Sequence, residues 1–167
     1  MSAALEPLIV KALTVWQPHA AFIAHFGKDI ENRGWMLNYR GPVIIHAGKQ
    51  TEDYPELWAE VSALFRRQGH AKHADLFHRF PKRWEWLCKQ PRGAAIAVAT
   101  LADCTRGPHT SLWARENAVH WALRDVEAFK TPETLQGHQG LWNCEVHRFT
   151  AANYEHVRAY IAGQRRK

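Results

Sequence analysis

The chain has 167 residues, 46% of them hydrophobic, and carries a net charge of +6 at neutral pH. This composition excludes disorder over most of the length, and the length suits a single domain, residues 1–167, with a sizeable core. Cys88, Cys104 and Cys144 show no C-x-x-C spacing, which fits a reducing cytoplasm better than a zinc or disulfide framework. The longest apolar run is about half of the ~20 residues that span a membrane. We therefore expect a cytoplasmic protein without membrane, metal or cofactor.

The first half of the chain predicts two strands around a short helix. Residues 8–15 are a short β-branched run typical of a strand. Pro18 suits the first turn of the helix that follows, and Gly27 suits its end. A polar run leads to the turn at residues 39–42, after which residues 42–48 predict a second, mostly buried strand.

The second half predicts helices, three strands and a last helix. Residues 54–68 have apolar side chains at helical spacing, and residues 70–90 continue a helical, strongly basic pattern that Pro81 splits. Strands are predicted over residues 94–104, 120–129 and 140–149, and a helix over 153–163. This order lacks βαβ regularity, so we expect the α+β class, as a small mixed β-barrel with flanking helices.

The positive charge is concentrated in one stretch. Residues 66–92 hold eight Lys and Arg against two acidic residues, which accounts for the whole net charge of +6. Such a patch favours a polyanionic partner, RNA or another nucleic acid, and Arg79, Lys82 and Arg83 are its candidate contacts. The alternative is a solvated helix face that makes the protein soluble.

Several stretches together resemble the ASCH (activating signal cointegrator homology) domain family of the PUA-like superfamily. Gly27, Lys28, Glu31 and Arg33 match its G-K-x-x-E-x-R signature, after a Gln-Pro that precedes the first helix. Trp35, the Tyr-Arg-Gly-Pro turn at 39–42, the strand ending in His-Ala, and the later strands also fit, over about residues 10–146. The resemblance implies a PUA-like mixed β-barrel with flanking helices and a cleft over its mouth. It also implies nucleic-acid binding or, as in a few members, hydrolysis of acetylcytidine or RNA, and it leaves a basic helical insertion, about 52–92, unexplained.

Lys28, Glu31 and Arg33 are the central candidate site. Strand-like alternation places Glu31 and Arg33 on one side, with Lys28 at the bend beside them. A carboxylate between two cations orients both and leaves Arg33 to bind a phosphate or a base edge, or Lys28 to act as a general base. The alternative is a structural ion pair at a turn.

Further candidates flank these segments. Gln17 and Asn143 carry amides that can read a splayed base. Aromatic side chains that can stack on bases are Trp16, Trp35, Tyr39 and Trp142, with Arg40 as a neighbouring contact, whereas Trp58, Trp113 and Trp121 are expected in the core. His70, His73 and His78 have weak metal-ligand spacing and are expected on the surface. His46 follows a buried strand, either as a hydrogen-bonded core histidine or near the cleft.

These residues favour an RNA-binding module, most simply for single-stranded or modified RNA, with two alternatives. One is a small hydrolase: amidohydrolases of the family resembled use a Thr three residues after the Lys and a Glu on a later strand, but here Glu31 and Ala97 occupy those positions. A ribonuclease with Lys28 and His46 as base and acid stays open. The other alternative is a protein-interaction domain whose basic helices dock an acidic partner.

Overall fold

The computed structural model describes residues 5–52, 55–67, 69, 85 and 89–165, which form an α+β protein. Its strands are β1 (Ile9–Gln17), β2 (Ile30–Arg33), β3 (Gly41–Thr51), β4 (Ala94–Arg106), β5 (Val119–Thr134) and β6 (Leu141–Glu145). The helices are α1 (His19–His25), α2 (Pro55–Arg67) and α3 (Ala151–Gln164), with a 3-10 turn at Val146–Arg148. The expected α+β class is confirmed, and the short strand β2 is an addition to the predicted elements.

The six strands form one mixed sheet in the order β2-β5-β4-β3-β1-β6. β1 and β3 are parallel, as their connection through α1 allows, and the other neighbours are antiparallel. The hydrogen-bonded ladder has β2 and β6 as its edges, so the sheet of the described residues is open rather than closed into a barrel.

The sheet nevertheless curls strongly. Arg33, at the end of the edge strand β2, donates a hydrogen bond of 2.6 Å to the carbonyl oxygen of Thr14 in β1. These strands are separated by three others in the ladder. The curl therefore brings the edge strand β2 into contact with β1. The concave space between these two strands contains the candidate site.

Alternation along the strands builds a core on each face of the sheet. Leu13 and Ile45 pack in one cluster with Trp121, whereas their neighbours Ala12 and Ile44 pack in another, with side chains from α3. A third cluster joins α1 to α2. Its members include the predicted helix face of Leu57, Val61, Leu64 and Phe65 together with Trp113. Burial of Trp113 and Trp121 is confirmed, while the side chain of Trp58 lies outside the described residues.

The turn after α1 directs the chain into the concave side. Gly27 has a φ of +69°, a left-handed conformation that glycine adopts without strain. The amide of Lys28 then donates back to the carbonyl of Phe22 at 3.1 Å. The predicted end of this helix is confirmed, and Lys28 is delivered beside β2. Among the described residues, no helix is long and apolar enough to cross a membrane.

Candidate functional site

A buried carboxylate holds two cations at the predicted central site. Lys28 Nζ donates to Glu31 Oε2 at 2.7 Å and to the carbonyl of Ile30 at 2.7 Å. Arg33 Nη2 lies 3.2 Å from the other carboxylate oxygen, Glu31 Oε1. Lys28 is only 3% exposed. The alternation expected for Glu31 and Arg33 is thus confirmed, since both lie on β2 with side chains that meet.

The charges of this trio fix the ionisation of Glu31. Burial alone favours the neutral acid, but the charges of Lys28 and Arg33, together with the hydrogen bond from Lys28, outweigh it. The net result is a lowered pKa for the Glu31 carboxyl. Glu31 is therefore an anion at neutral pH, and it orients both cations.

The Arg33 guanidinium is held in place, but not all of its hydrogen-bond donors have partners among the described residues. Beyond its bonds to Glu31 and Thr14, its guanidinium lies 5.9 Å from the ring centroid of Trp35 and 5.6 Å from that of Trp121. Its Nε–H is buried and has no hydrogen-bond partner within the described part of the chain. A buried donor without an acceptor costs about 1–3 kcal/mol.

Two cavities meet at Arg33. Cavity A, of about 230 Å³, is lined by Thr14, Val15, Trp16, His19, Lys28, Glu31, Asn32, Arg33, Glu52 and Arg115. Cavity B, of about 600 Å³, is lined by Thr14, Trp16, Arg33, Trp35, His46, Gly48, Lys49, Gln50, Gly93 and the loop residues 136–140. Thr14, Trp16 and Arg33 belong to both linings, so the two cavities are neighbours with a shared wall, and together they are called the cleft.

Cavity A also holds a hydrogen-bonded pair, His19 and Glu52. His19 Nε2 lies 2.8 Å from Glu52 Oε2, and the hydrogen bond from His19 is the main cause that lowers the pKa of Glu52, against a smaller opposing effect of burial. An ionised carboxylate only accepts, so His19 carries a proton on Nε2. Its Nδ1 is buried without a hydrogen-bond partner among the described residues. Both carboxylates of cavity A are thus engaged by cations or by histidine.

Cavity B has aromatic walls that face solvent. Trp16 and Trp35 are each 46% exposed. Trp35 packs edge-on against the buried Trp121, with ring centroids 5.7 Å apart and planes at 86°. This support holds the indole in place while leaving part of it open, the arrangement that stacking on a base requires.

His46 forms part of the floor of cavity B. The carbonyl of Leu135 accepts from His46 Nε2 at 3.1 Å, so Nδ1 is the acceptor for the Thr14 hydroxyl at 3.3 Å. Thr14 Oγ1 accepts in turn from Trp142 Nε1 at 3.1 Å. Burial lowers the pKa of His46. His46 is thus a hydrogen-bonded core histidine that also lines the cleft. The two alternatives left open by the sequence, a core position and a position near the cleft, both apply.

The predicted amide readers lie outside both cavities. Gln17 is fully buried: its Nε2 donates to the carbonyl of Pro91 at 3.0 Å, and its Oε1 accepts from the amide of Ala21 at 3.0 Å. Its amide therefore holds the start of α1 and has no free edge to read a base. Asn143 is exposed on β6 and accepts from Lys11 Nζ at 2.8 Å.

Three other predicted ligand contacts line neither cavity and instead stabilise the structure around the cleft. Trp142 braces Thr14, as above, without lining either cavity. Tyr39 donates to the carbonyl of Pro42 at 2.6 Å. Arg40 donates to the carbonyls of Leu37 and Tyr39 at 2.9 Å and to Asp103 at 3.0 Å. Both side chains hold the turn before β3.

The basic contacts Arg79, Lys82 and Arg83, and the histidines His70, His73 and His78, lie outside the described residues. Within the described ranges no three His, Cys, Asp or Glu side chains are grouped as metal ligands.

His19, Glu52 and Arg115 also line cavity A, although no motif in the sequence pointed to them. His19 and Glu52 are 33 positions apart, and Arg115 lies in the loop between β4 and β5. No local spacing joins them. The one available signal was a polar residue directly after Pro18, at the start of an otherwise apolar helix.

The sequence was also compared with known proteins. No protein-family model matches it, and no curated protein matches it either.

Proposed function

We propose that this protein binds nucleic acid, most simply single-stranded or modified RNA, in the cleft formed by cavities A and B. The observation that carries the proposal is the position of Arg33. Its guanidinium lies in the shared wall and is held by Glu31 and Thr14, while its side chain stays 19% exposed. A rigid arginine that is partly open to the cleft is suited to a phosphate or to a base edge.

Cavity B has side chains that can stack on a base and form hydrogen bonds with it. Trp16 and Trp35 offer exposed aromatic faces, and base–aromatic stacking contributes about 1–3 kcal/mol per base. Gln50, Gln136 and Gln139 are in the lining, and amide side chains pair with Watson–Crick edges. Glycines at positions 48, 93, 137 and 140 keep the wall free of further side chains. The cavity therefore combines stacking with hydrogen bonding.

We further propose membership of the ASCH family and a PUA-like barrel as the fold. The support is that the three charged residues of the signature meet in space, at one cleft, rather than along an exposed helix. The curl that Arg33 stabilises is what a barrel-like sheet needs. In this proposal the basic segment adds electrostatic affinity for the phosphate backbone without sequence preference.

Binding of short fluorescent single-stranded oligoribonucleotides tests the function. Arg33→Gln should weaken binding about tenfold or more, because it removes a charge-assisted contact. Arg158→Gln is the matched control, since Arg158 is an exposed arginine paired with Glu155 on α3. Equal affinity of both variants and the wild type, or no binding by the wild type, would refute the proposal.

A second candidate, hydrolysis of RNA or of a modified nucleoside, is favoured by one observation. The His19–Glu52 pair lies in the same cavity as Lys28, whereas the expected partner His46 lies in cavity B. A histidine oriented by a carboxylate is a suitable acid–base group. Ala97 is fully buried in the core, so the family's amidohydrolase carboxylate has no counterpart there. Turnover of end-labelled RNA or acetylated nucleoside, lost in His19→Gln, is the test.

A further inference from the structure

We infer that the smallest ligand of the cleft is a single nucleotide, with its phosphate in cavity A and its base in cavity B. This inference rests on the proposed function and deepens it, because it assigns each cavity one part of the ligand. It predicts that an isolated nucleoside monophosphate binds, without a longer RNA.

The charges of cavity A favour an anion. Its lining holds Lys28, Arg33 and Arg115 against two carboxylates, Glu31 and Glu52. Both oxygens of Glu31 are used by Lys28 and Arg33, and Glu52 is used by His19. The cations are therefore in excess by at least one charge. A phosphate adds the missing negative charge and supplies acceptors for arginine N–H groups.

Arg115 carries that excess charge. Within the part of the chain that the structure describes, its guanidinium has no hydrogen bond and no ion pair within 4.0 Å, although its charge helps to lower the pKa of Glu52 after the larger effects of His19. Its backbone, in contrast, is tied down: its amide donates to Asn32 Oδ1 at 2.9 Å, and its carbonyl is 2.9 Å from His120 Nε2. The exposed side chain therefore extends from a fixed point beside β2 and is available to a ligand.

Size decides which part of the ligand each cavity takes. Pockets for small organic ligands measure about 300–1,000 Å³. Cavity B, at about 600 Å³, lies within that range and has the tryptophans, whereas cavity A, at about 230 Å³, lies below it and has the charges. A base with its sugar suits the first, and a phosphate group suits the second.

The shared wall allows one ligand to reach both cavities. Trp16 and Arg33 line each of them, so a base stacked on Trp16 has its phosphate on the Arg33 side. The accessible part of the Arg33 side chain, which is 19% exposed, and the guanidinium of Arg115 then bind the same phosphate.

The test is calorimetric titration of the intact protein with the four common ribonucleosides and with their 5′- and 3′-monophosphates. At least one monophosphate should bind about tenfold more tightly than its nucleoside. In Arg115→Gln this advantage should fall to about threefold or less while the nucleoside affinity stays unchanged. Because the Arg115 side chain makes no bonds within the described residues, this variant should fold normally. Arg106→Gln, an exposed arginine at the end of β4 that lines neither cavity, is the control for net charge.

Equal affinities for nucleosides and monophosphates, or an advantage that survives Arg115→Gln, would overturn the inference. So would a wild-type protein that binds oligoribonucleotides but none of these nucleotides, and in that case the proposed function stands. Failure to bind oligoribonucleotides as well would instead refute the proposed function.

Discussion

Arg33 donates to the carbonyl oxygen of Thr14 across a gap of 2.6 Å, and so joins an edge strand to a strand on the far side of the same sheet. The same guanidinium lies in the wall that separates the two cavities. One side chain therefore stabilises the curl and presents the binding group. Because of this double role, both the unfolding free energy and the ligand affinity must be measured for any variant of Arg33.

Removing Lys28 should destabilise the fold. Lys28→Met leaves the Glu31 carboxylate buried without its closest cation, and breaking a buried pair in this way costs about 3 kcal/mol. Urea denaturation followed by tryptophan fluorescence measures the loss. Lys89→Met is the control, because Lys89 is 77% exposed and its pair with Glu85 is worth less than about 1 kcal/mol. A loss no larger than that of the control would contradict the buried ion pair.

The stability of the protein should depend on Glu31 at acid pH. Because the folded pKa of Glu31 is lowered, the unfolded chain takes up the proton first, near its ordinary pKa of 4.5. The contribution is complete above that value and is lost as the pH falls through the folded pKa. Glu31→Gln should therefore show a shallower fall in unfolding free energy between about pH 6 and pH 3. Glu155→Gln, at an exposed site on α3, should keep the wild-type slope; a wild-type slope in Glu31→Gln would contradict the prediction.

A side chain at position 137 should disrupt cavity B. A Cβ at Gly137 would overlap the ring of His46 and lie 2.8 Å from Thr14 Oγ1. Gly137→Ala should therefore destabilise the protein by about 1–3 kcal/mol, the usual cost of overpacking. Gly34→Ala is the matched control, since nothing lies within 4 Å of its Cβ position. Identical melting temperatures for the two variants would show that the 136–140 loop does not pack as described.

Trp16 and Trp35 should contribute to affinity far more than to folding. Each is 46% exposed, so Trp16→Ala and Trp35→Ala should each weaken binding of an oligoribonucleotide by about 1–3 kcal/mol. Met36→Ala removes a side chain of similar exposure, 49%, that lines neither cavity. Fluorescence anisotropy compares the three. Loss of affinity in the Met36 variant alone would place the ligand elsewhere.

Local patterns predicted most of the elements and the central trio. The apolar spacing of α2 and the glycine after α1 act over a few residues, and both are confirmed. Lys28, Glu31 and Arg33 lie within six positions, so strand geometry alone could bring their charges together. Short-range geometry was sufficient for these features.

The rest of the site depends on contacts that no local pattern encodes. His19 meets Glu52 because the neighbouring strands β1 and β3 pair side by side up to their ends, Gln17 opposite Thr51. Arg33 meets Thr14 because the sheet curls. Gln17 was predicted to bind a ligand because its amide is polar. In the fold, however, its Nε2 and Oε1 both bond to backbone groups in the interior. Residue type reveals what a side chain can bond to, whereas the fold decides which partner it finds.

The most direct test of the binding site is an NMR titration of the isotope-labelled protein with a single-stranded oligoribonucleotide. The arginine Nε–H and tryptophan indole N–H signals, assigned by mutation, report on the side chains that define the cleft. We predict that the signals of Arg33, Trp16 and Trp35 shift with a common affinity, while those of the core Trp113 and of Arg158 on α3 do not. Saturable shifts that leave Arg33, Trp16 and Trp35 unchanged would contradict binding in this cleft.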